Sequence, residues 1–73
     1  MESDYRLMAE DTPSGVVYSI HEVFYMNGHP YDFVFIPLAL ISLDQEDLIA
    51  DIQLALEAFQ QPILSKENFP NEY

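Results

Sequence analysis

Asn27-Gly28 stands between two apolar runs, 16-VVYSIHEVFYM-26 and 29-HPYDFVFI-36, and no other dipeptide in the chain constrains the fold as much. A type I′ turn needs φ > 0 at both central positions, which asparagine and glycine tolerate, and its twist matches that of the strands it joins. A two-residue loop also sets the register. It places Met26 opposite His29, Tyr25 opposite Pro30, Phe24 opposite Tyr31, Val23 opposite Asp32, Glu22 opposite Phe33 and His21 opposite Val34.

Other elements assemble around this hairpin. The alternating text DYRLMA predicts a first strand over residues 4–9, and 10-EDTPSG-15 reads as a loop because Pro13 fixes φ and Gly15 tolerates positive φ. The second strand spans 16–25 and the third 31–36, where Pro37 marks its end, an edge or a bulge, since proline cannot donate to a ladder. Ser42 and Gln45 match a capping box, and Asp44, Glu46 and Asp47 complement the helix dipole, so a helix is expected over 43–61. Within it Leu48, Ile49, Ile52, Ala55, Leu56 and Phe59 form one stripe at 3.6 spacing, read as the core face. Leu54 lies away from that stripe, as an isolated exposed leucine or a partner contact. Pro62 stops the helix. In the tail, 62–73, Ile63 and Leu64 offer a short edge strand and Phe69 a residue that docks back. The expected fold is a single α+β domain, residues 1–73: a three-stranded antiparallel sheet, with a possible short fourth strand, packed on one C-terminal helix.

A chain of 73 residues buries only about 60% of the surface its unfolded form exposes. With no cysteine it has neither disulfides nor a thiolate zinc site, so oligomerisation is the remaining support, and a homodimer is expected. Thirteen acidic residues against Arg6 and Lys66 give a formal net charge of −11. Phosphate backbones repel such a chain, which argues against direct nucleic-acid binding. The same charge suits a basic protein partner, for instance one whose nucleic-acid groove this chain occupies, or else serves solubility alone. The acidic start 1-MESDYRLMAEDT-12 is unlike a signal peptide, and no apolar run has the length of a membrane span; the expectation is a cytoplasmic protein that does not enter membranes.

Two histidines invite a search for a metal or acid–base site. Under the expected register His21 and His29 lie several residues apart along the ribbon, out of reach of one metal ion within a subunit. His21 and Asp32 become diagonal neighbours on one face, a pair that serves either as a structural hydrogen bond or as a general base. One face of the hairpin carries Tyr18, Ile20, Glu22, Phe24, Tyr31, Phe33 and Phe35, and is expected under the helix. Glu22 must there reach Arg6, protonate, or be turned out by a β-bulge, the last being favoured. The opposite face, with His21, Val23, Asp32, Val34 and Ile36, is too apolar to leave in water; either the tail residues Ile63, Leu64 and Phe69 or a partner covers it. The chain has no phosphate-binding glycine loop, nucleophile elbow or EF-hand spacing, and no catalytic residue, cofactor or metal is assigned.

The segments 20-IHEVFY-25, Gly28-His29-Pro30, ALEAF and 62-PIL-64 resemble a family of small uncharacterised bacterial proteins with an I-H-E-V-aromatic-Tyr strand, a G-x-P turn and a helix followed by a P-V-L-like segment. The likeness runs from Tyr5 to Phe69, implies this element order and a bacterial origin, and attaches no activity. The chain departs from it in 31-YDFVFIPLALI-41, which is more apolar, as an added partner surface would be. The strand-strand-strand-helix order is also similar to HicB-type antitoxin domains, which bind and block a small toxin, although topology alone does not imply function. The expected function is a non-enzymatic acidic interaction module, with Asp44, Glu46, Asp47, Asp51, His21, Asp32, Val34, Ile36 and Leu54 as candidate contact residues. The alternative is a small ligand-binding or enzymatic domain using His21 and Asp32.

Overall fold

Asn27 and Gly28 have φ of 53° and 78°, both positive as the hairpin turn demands, in a computed structural model that describes residues 2–70. The turn joins β2 (Gly15–Met26) to β3 (His29–Phe33). A second hairpin joins β1 (Glu2–Thr12) to β2, closed by Thr12 Oγ1 donating to the Gly15 carbonyl at 2.7 Å. β1 is therefore longer than expected. That threonine satisfies the turn from within the strand, so only Pro13 and Ser14 remain as loop. The three strands form one antiparallel sheet in the order β1-β2-β3, with α1 (Gln45–Ala58) packed against β1.

The β2–β3 register begins as expected, with Met26 opposite His29 and Tyr25 opposite Pro30, and then slips. Phe24 faces Asp32 and Val23 faces Phe33, so Tyr31 is the extra residue of a β-bulge. A one-residue slip moves every following side chain to the other face. Phe33 joins the His21 face, its ring meeting the imidazole edge-on at 5.4 Å, and stacks with Phe35 at 6.2 Å. Asp32 passes to the Phe24 face. The bulge thus lies in β3, and Glu22 stays on the Tyr5 side of the sheet, where Ser3 Oγ donates to its carboxylate at 3.1 Å. Glu22 is only half-buried because α1 sits over β1 rather than β2, so no desolvation forces it out.

The face carrying Val23 holds the main core, and the tail covers it. Leu64 bridges Met8 in parallel: its amide donates to the Leu7 carbonyl at 2.9 Å and its own carbonyl accepts from the Ala9 amide at 2.8 Å. This is the short fourth strand, reduced to one residue. A 3₁₀ turn, Lys66–Asn68, closed by the Ser65 amide donating to Asn68 Oδ1 at 2.8 Å, then drops Phe69 onto the sheet. Met8, Val23, Leu64 and Phe69 pack as one cluster with Tyr25 and Phe33 against it, and Phe69 meets the Phe33 ring at 5.0 Å. Ile63, also expected to cover this face, is exposed.

Arg6 ties these parts together. Its guanidinium, 7% exposed, donates at 2.7 Å to Tyr25 Oη and at 2.7 Å to the Pro62 carbonyl. Tyr25 Oη in turn donates to Asp4 Oδ1 at 2.7 Å, and Gln61 Nε2 donates to Asp4 Oδ2 at 2.9 Å. Arg6 Nε is buried without a hydrogen-bond partner among the described residues. Burial, then the hydrogen bond to Asp4, hold the Tyr25 hydroxyl above the ordinary tyrosine range, since both disfavour the phenolate.

The helix differs from expectation at both ends and in its rotation. Its N-cap is Asp44, whose Oδ1 accepts from the Glu46 amide at 3.0 Å, while Ser42 Oγ accepts from the amide of Asp44 itself at 3.2 Å. Ser42 therefore orients the cap instead of being it. The last turn tightens after Ala58, with Phe59 and Gln60 amides donating to the carbonyls three residues back, so the helix ends before Pro62 forces it to. Its buried side chains are Ala55 and Ala58, with Asp51 and Leu54 half-buried beside them. Small residues let the helix approach β1 closely. Ile49, Ile52, Leu56 and Phe59, read from the sequence as core, point into solvent.

Candidate functional site

Two places on the molecule gather chemistry or exposed surface. The first is polar and lies around His21, buried on the tail-covered face. Its Nδ1 is 2.8 Å from the Val34 carbonyl and its Nε2 2.9 Å from Ser19 Oγ. A carbonyl can only accept, so Nδ1 carries a proton and donates to it, which leaves Nε2 as the nitrogen that faces the Ser19 hydroxyl. The group borders a small pocket of about 80 Å³ that Phe35 and Lys66 also line, Lys66 being paired with Glu10 at 3.0 Å. A hydroxyl on one imidazole nitrogen and a backbone carbonyl on the other is an arrangement that structural and proton-transfer histidines share.

Asp32, expected as the partner of His21, is on the opposite face because of the bulge. Its Oδ1 accepts from the Phe33 amide at 2.8 Å. The diagonal His21–Asp32 pair is therefore not formed. His29 is exposed beside the turn, opposite Met26, which puts it about 16 Å along the ribbon from His21 at roughly 3.3 Å per residue. Among the described residues no group of three or more His, Asp or Glu side chains has the spacing of a metal site.

The second place is apolar and much larger. An open groove of about 710 Å³ runs between sheet and helix. Leu7 and Ile20 form its floor, Leu38 and Leu40 one wall, Ala55 and Phe59 the other. It exists because α1 sits over the edge strand β1 and leaves the middle of the sheet uncovered. The wall at Leu38 belongs to an extended segment, 34-VFIPLALISL-43, which contains no charged residue and follows β2 through two bonds: the Val34 amide to the Glu22 carbonyl at 2.9 Å and the Leu38 amide to the Ile20 carbonyl at 2.7 Å. Most of its large side chains are in water, Ile41 being 80% exposed and Leu43 fully so. The outward stripe of α1 runs beside the groove, with Leu56 62% and Phe59 63% exposed.

The candidate contact residues divide between these places. Ile36 is exposed in the extended segment, and Val34 is there too, its carbonyl committed to His21. Asp44 is committed to the cap, Glu46 and Asp47 are exposed in the first helical turn, and Asp51 and Leu54 are half-buried on the inner side of the helix. His21 is on the other side of the sheet. The sequence shows the helical stripe but not what covers it, and the small residues Ala55 and Ala58, three apart, are the signal that points to the true inner side. Among the described residues no helix is long and apolar enough to cross a membrane. No protein-family model, no curated protein and no solved structure matches the chain.

Proposed function

We propose that this chain is a non-enzymatic, acidic protein-interaction module that regulates or neutralises a basic protein partner. The observation that carries the proposal is the apolar surface formed by the groove, the segment 34–43 and the outward stripe of α1. Contiguous exposed patches of this size usually mark protein contacts. Glu46 and Asp47 are exposed in the first turn of α1, and exposed charge steers a partner and sets its sign more than it adds affinity.

The test is an affinity column run twice at low salt, with the native chain and with Leu56→Glu. The native column retains basic proteins that elute as salt rises, and the variant does not retain them. Equal retention on both columns, or elution that ignores salt, refutes the proposal.

A second reading, ligand binding or catalysis at His21, draws on the hydrogen-bonded Ser19–His21–Val34 chain. It predicts that a serine-directed fluorophosphonate labels Ser19, and that His21→Ala abolishes the labelling. A native chain that stays unlabelled removes this reading.

A further inference from the structure

We infer that a second copy of this chain covers the apolar patch, in a two-fold dimer whose axis lies beside α1. The inference rests on the reading of that patch as a protein-binding surface and names its first occupant. Three quantities argue for a copy of the chain itself. The accessible surface is 5614 Å², whereas a compact monomer of 8.4 kDa exposes about 4,600 Å². The excess of about 1,000 Å² compares with the roughly 800 Å² that each partner buries in a standard stable interface. The radius of gyration, 13.0 Å, likewise exceeds the value of about 11 Å for a compact chain of this length. Finally, the buried apolar core among the described residues is seven residues, small for a chain without disulfides, and such chains commonly complete their core by association.

The patch is also self-complementary. It has an open groove and, next to it, bulky apolar side chains that are exposed among the described residues, so a two-fold axis beside α1 lets each copy supply what the other lacks. Leu56 and Phe59 of one copy pack on the partner's Leu40 and Ile41, and the reverse contact forms at the same time. Charge permits this. Neither the outward stripe nor the segment 34–43 carries an ionisable side chain, so the centre of the contact is apolar and the exposed carboxylates of Glu46 and Glu57 border it. The −11 charges of each copy repel only across the rim, over distances that salt screens within about 10 Å at 0.1 M. Added salt therefore tightens a dimer of this chain, whereas it loosens any complex with a basic partner.

Sedimentation equilibrium on the purified chain tests the inference without any other protein present. The expected result is a species of twice 8.4 kDa at high micromolar concentration, with association that strengthens as sodium chloride is raised to about 0.5 M. Leu56→Glu is expected to weaken association by at least about a hundredfold. Ile41→Glu, in the extended segment, should act similarly. Both positions are largely exposed in the monomer, so circular dichroism should show both variants folded. A native chain of 8.4 kDa at high micromolar concentration overturns the inference, as does a dimer that neither substitution weakens. In either case, salt-sensitive retention of basic proteins that Leu56→Glu abolishes would leave the interaction-module reading standing without the homodimer.

Discussion

Replacing Arg6 by alanine removes a buried side chain that, with Asp4, joins β1, β2 and the residues after α1. Two bonds from a charged donor disappear, to Tyr25 Oη and to the Pro62 carbonyl, and each such bond contributes about 1.5–3 kcal/mol. The unpartnered Nε already costs the native state something, so the lower end applies and the expected loss is about 3 kcal/mol. A chain of this length is stable by only about 4–11 kcal/mol, at roughly 0.05–0.15 per residue. Urea unfolding followed by far-ultraviolet circular dichroism measures the difference. With a slope near 1 kcal/mol per molar, as small proteins show, the midpoint should fall by about 3 M with no change in slope. Protein concentration must be held constant across variants, because self-association adds to apparent stability. Arg6→Lys should fall between the two, since a single ammonium lacks the fork that reaches two acceptors on different elements. An Arg6→Ala midpoint within about 0.5 M of the native value would refute the assignment of Arg6 as the tie.

Three further outcomes are expected. Asp44→Ala should cost about 1 kcal/mol and lower the melting temperature by about 4–8 °C, while Ser42→Ala, which removes only the bond to the cap's own amide, should cost less; equal losses would place the cap elsewhere. Phe69→Ala should cost about 3–5 kcal/mol, because Phe69 is 4% exposed and in the core cluster, and a variant with native stability in urea would mean the tail does not cover the sheet. The Tyr25 hydroxyl is held above its ordinary value of 10.0 by burial and by Asp4, so the folded state keeps that proton where the unfolded state has lost it; stability from this group is whole below pH 10 and declines as pH rises through the folded value. Melting temperatures across that range should fall less steeply for Tyr25→Phe than for the native chain, and parallel curves would contradict the raised value.

The parts of the fold that were legible in the sequence are those decided locally. Asn27-Gly28 specifies its turn by backbone sterics alone, and three strands followed by a helix follow from periodicity and proline placement. The bulge at Tyr31 was not legible. In 31-YDFVFI-36 aromatic and aliphatic residues occupy both parities, so either register puts apolar side chains on either face, and the choice falls to distant contacts such as Phe33 with His21 and Phe69. The helix rotation failed for a related reason. A hydrophobic stripe says that a face is apolar and not what covers it, and here the close approach of Ala55 and Ala58 to β1 leaves the larger residues outside. Ser42 and Asp44 each satisfy the local pattern of a cap, and only the direction of the incoming chain separates them. The groove was legible only as an excess of apolar residues in 34–43, with no indication of where they would stand.

The parallel bridge between Met8 and Leu64 also sets a timetable. Protein synthesis adds about 5–20 residues per second, so roughly 2–9 s pass between the appearance of Val23 and that of Phe69. During that interval the hairpins have all their ladder partners but nothing to lay over Val23. The nascent chain must wait as an aromatic, half-covered ribbon, and contacts that span most of its length are formed last and slowly. At a formal net charge of −11, two such ribbons repel one another, which opposes association through the uncovered face until Leu64 and Phe69 cover it.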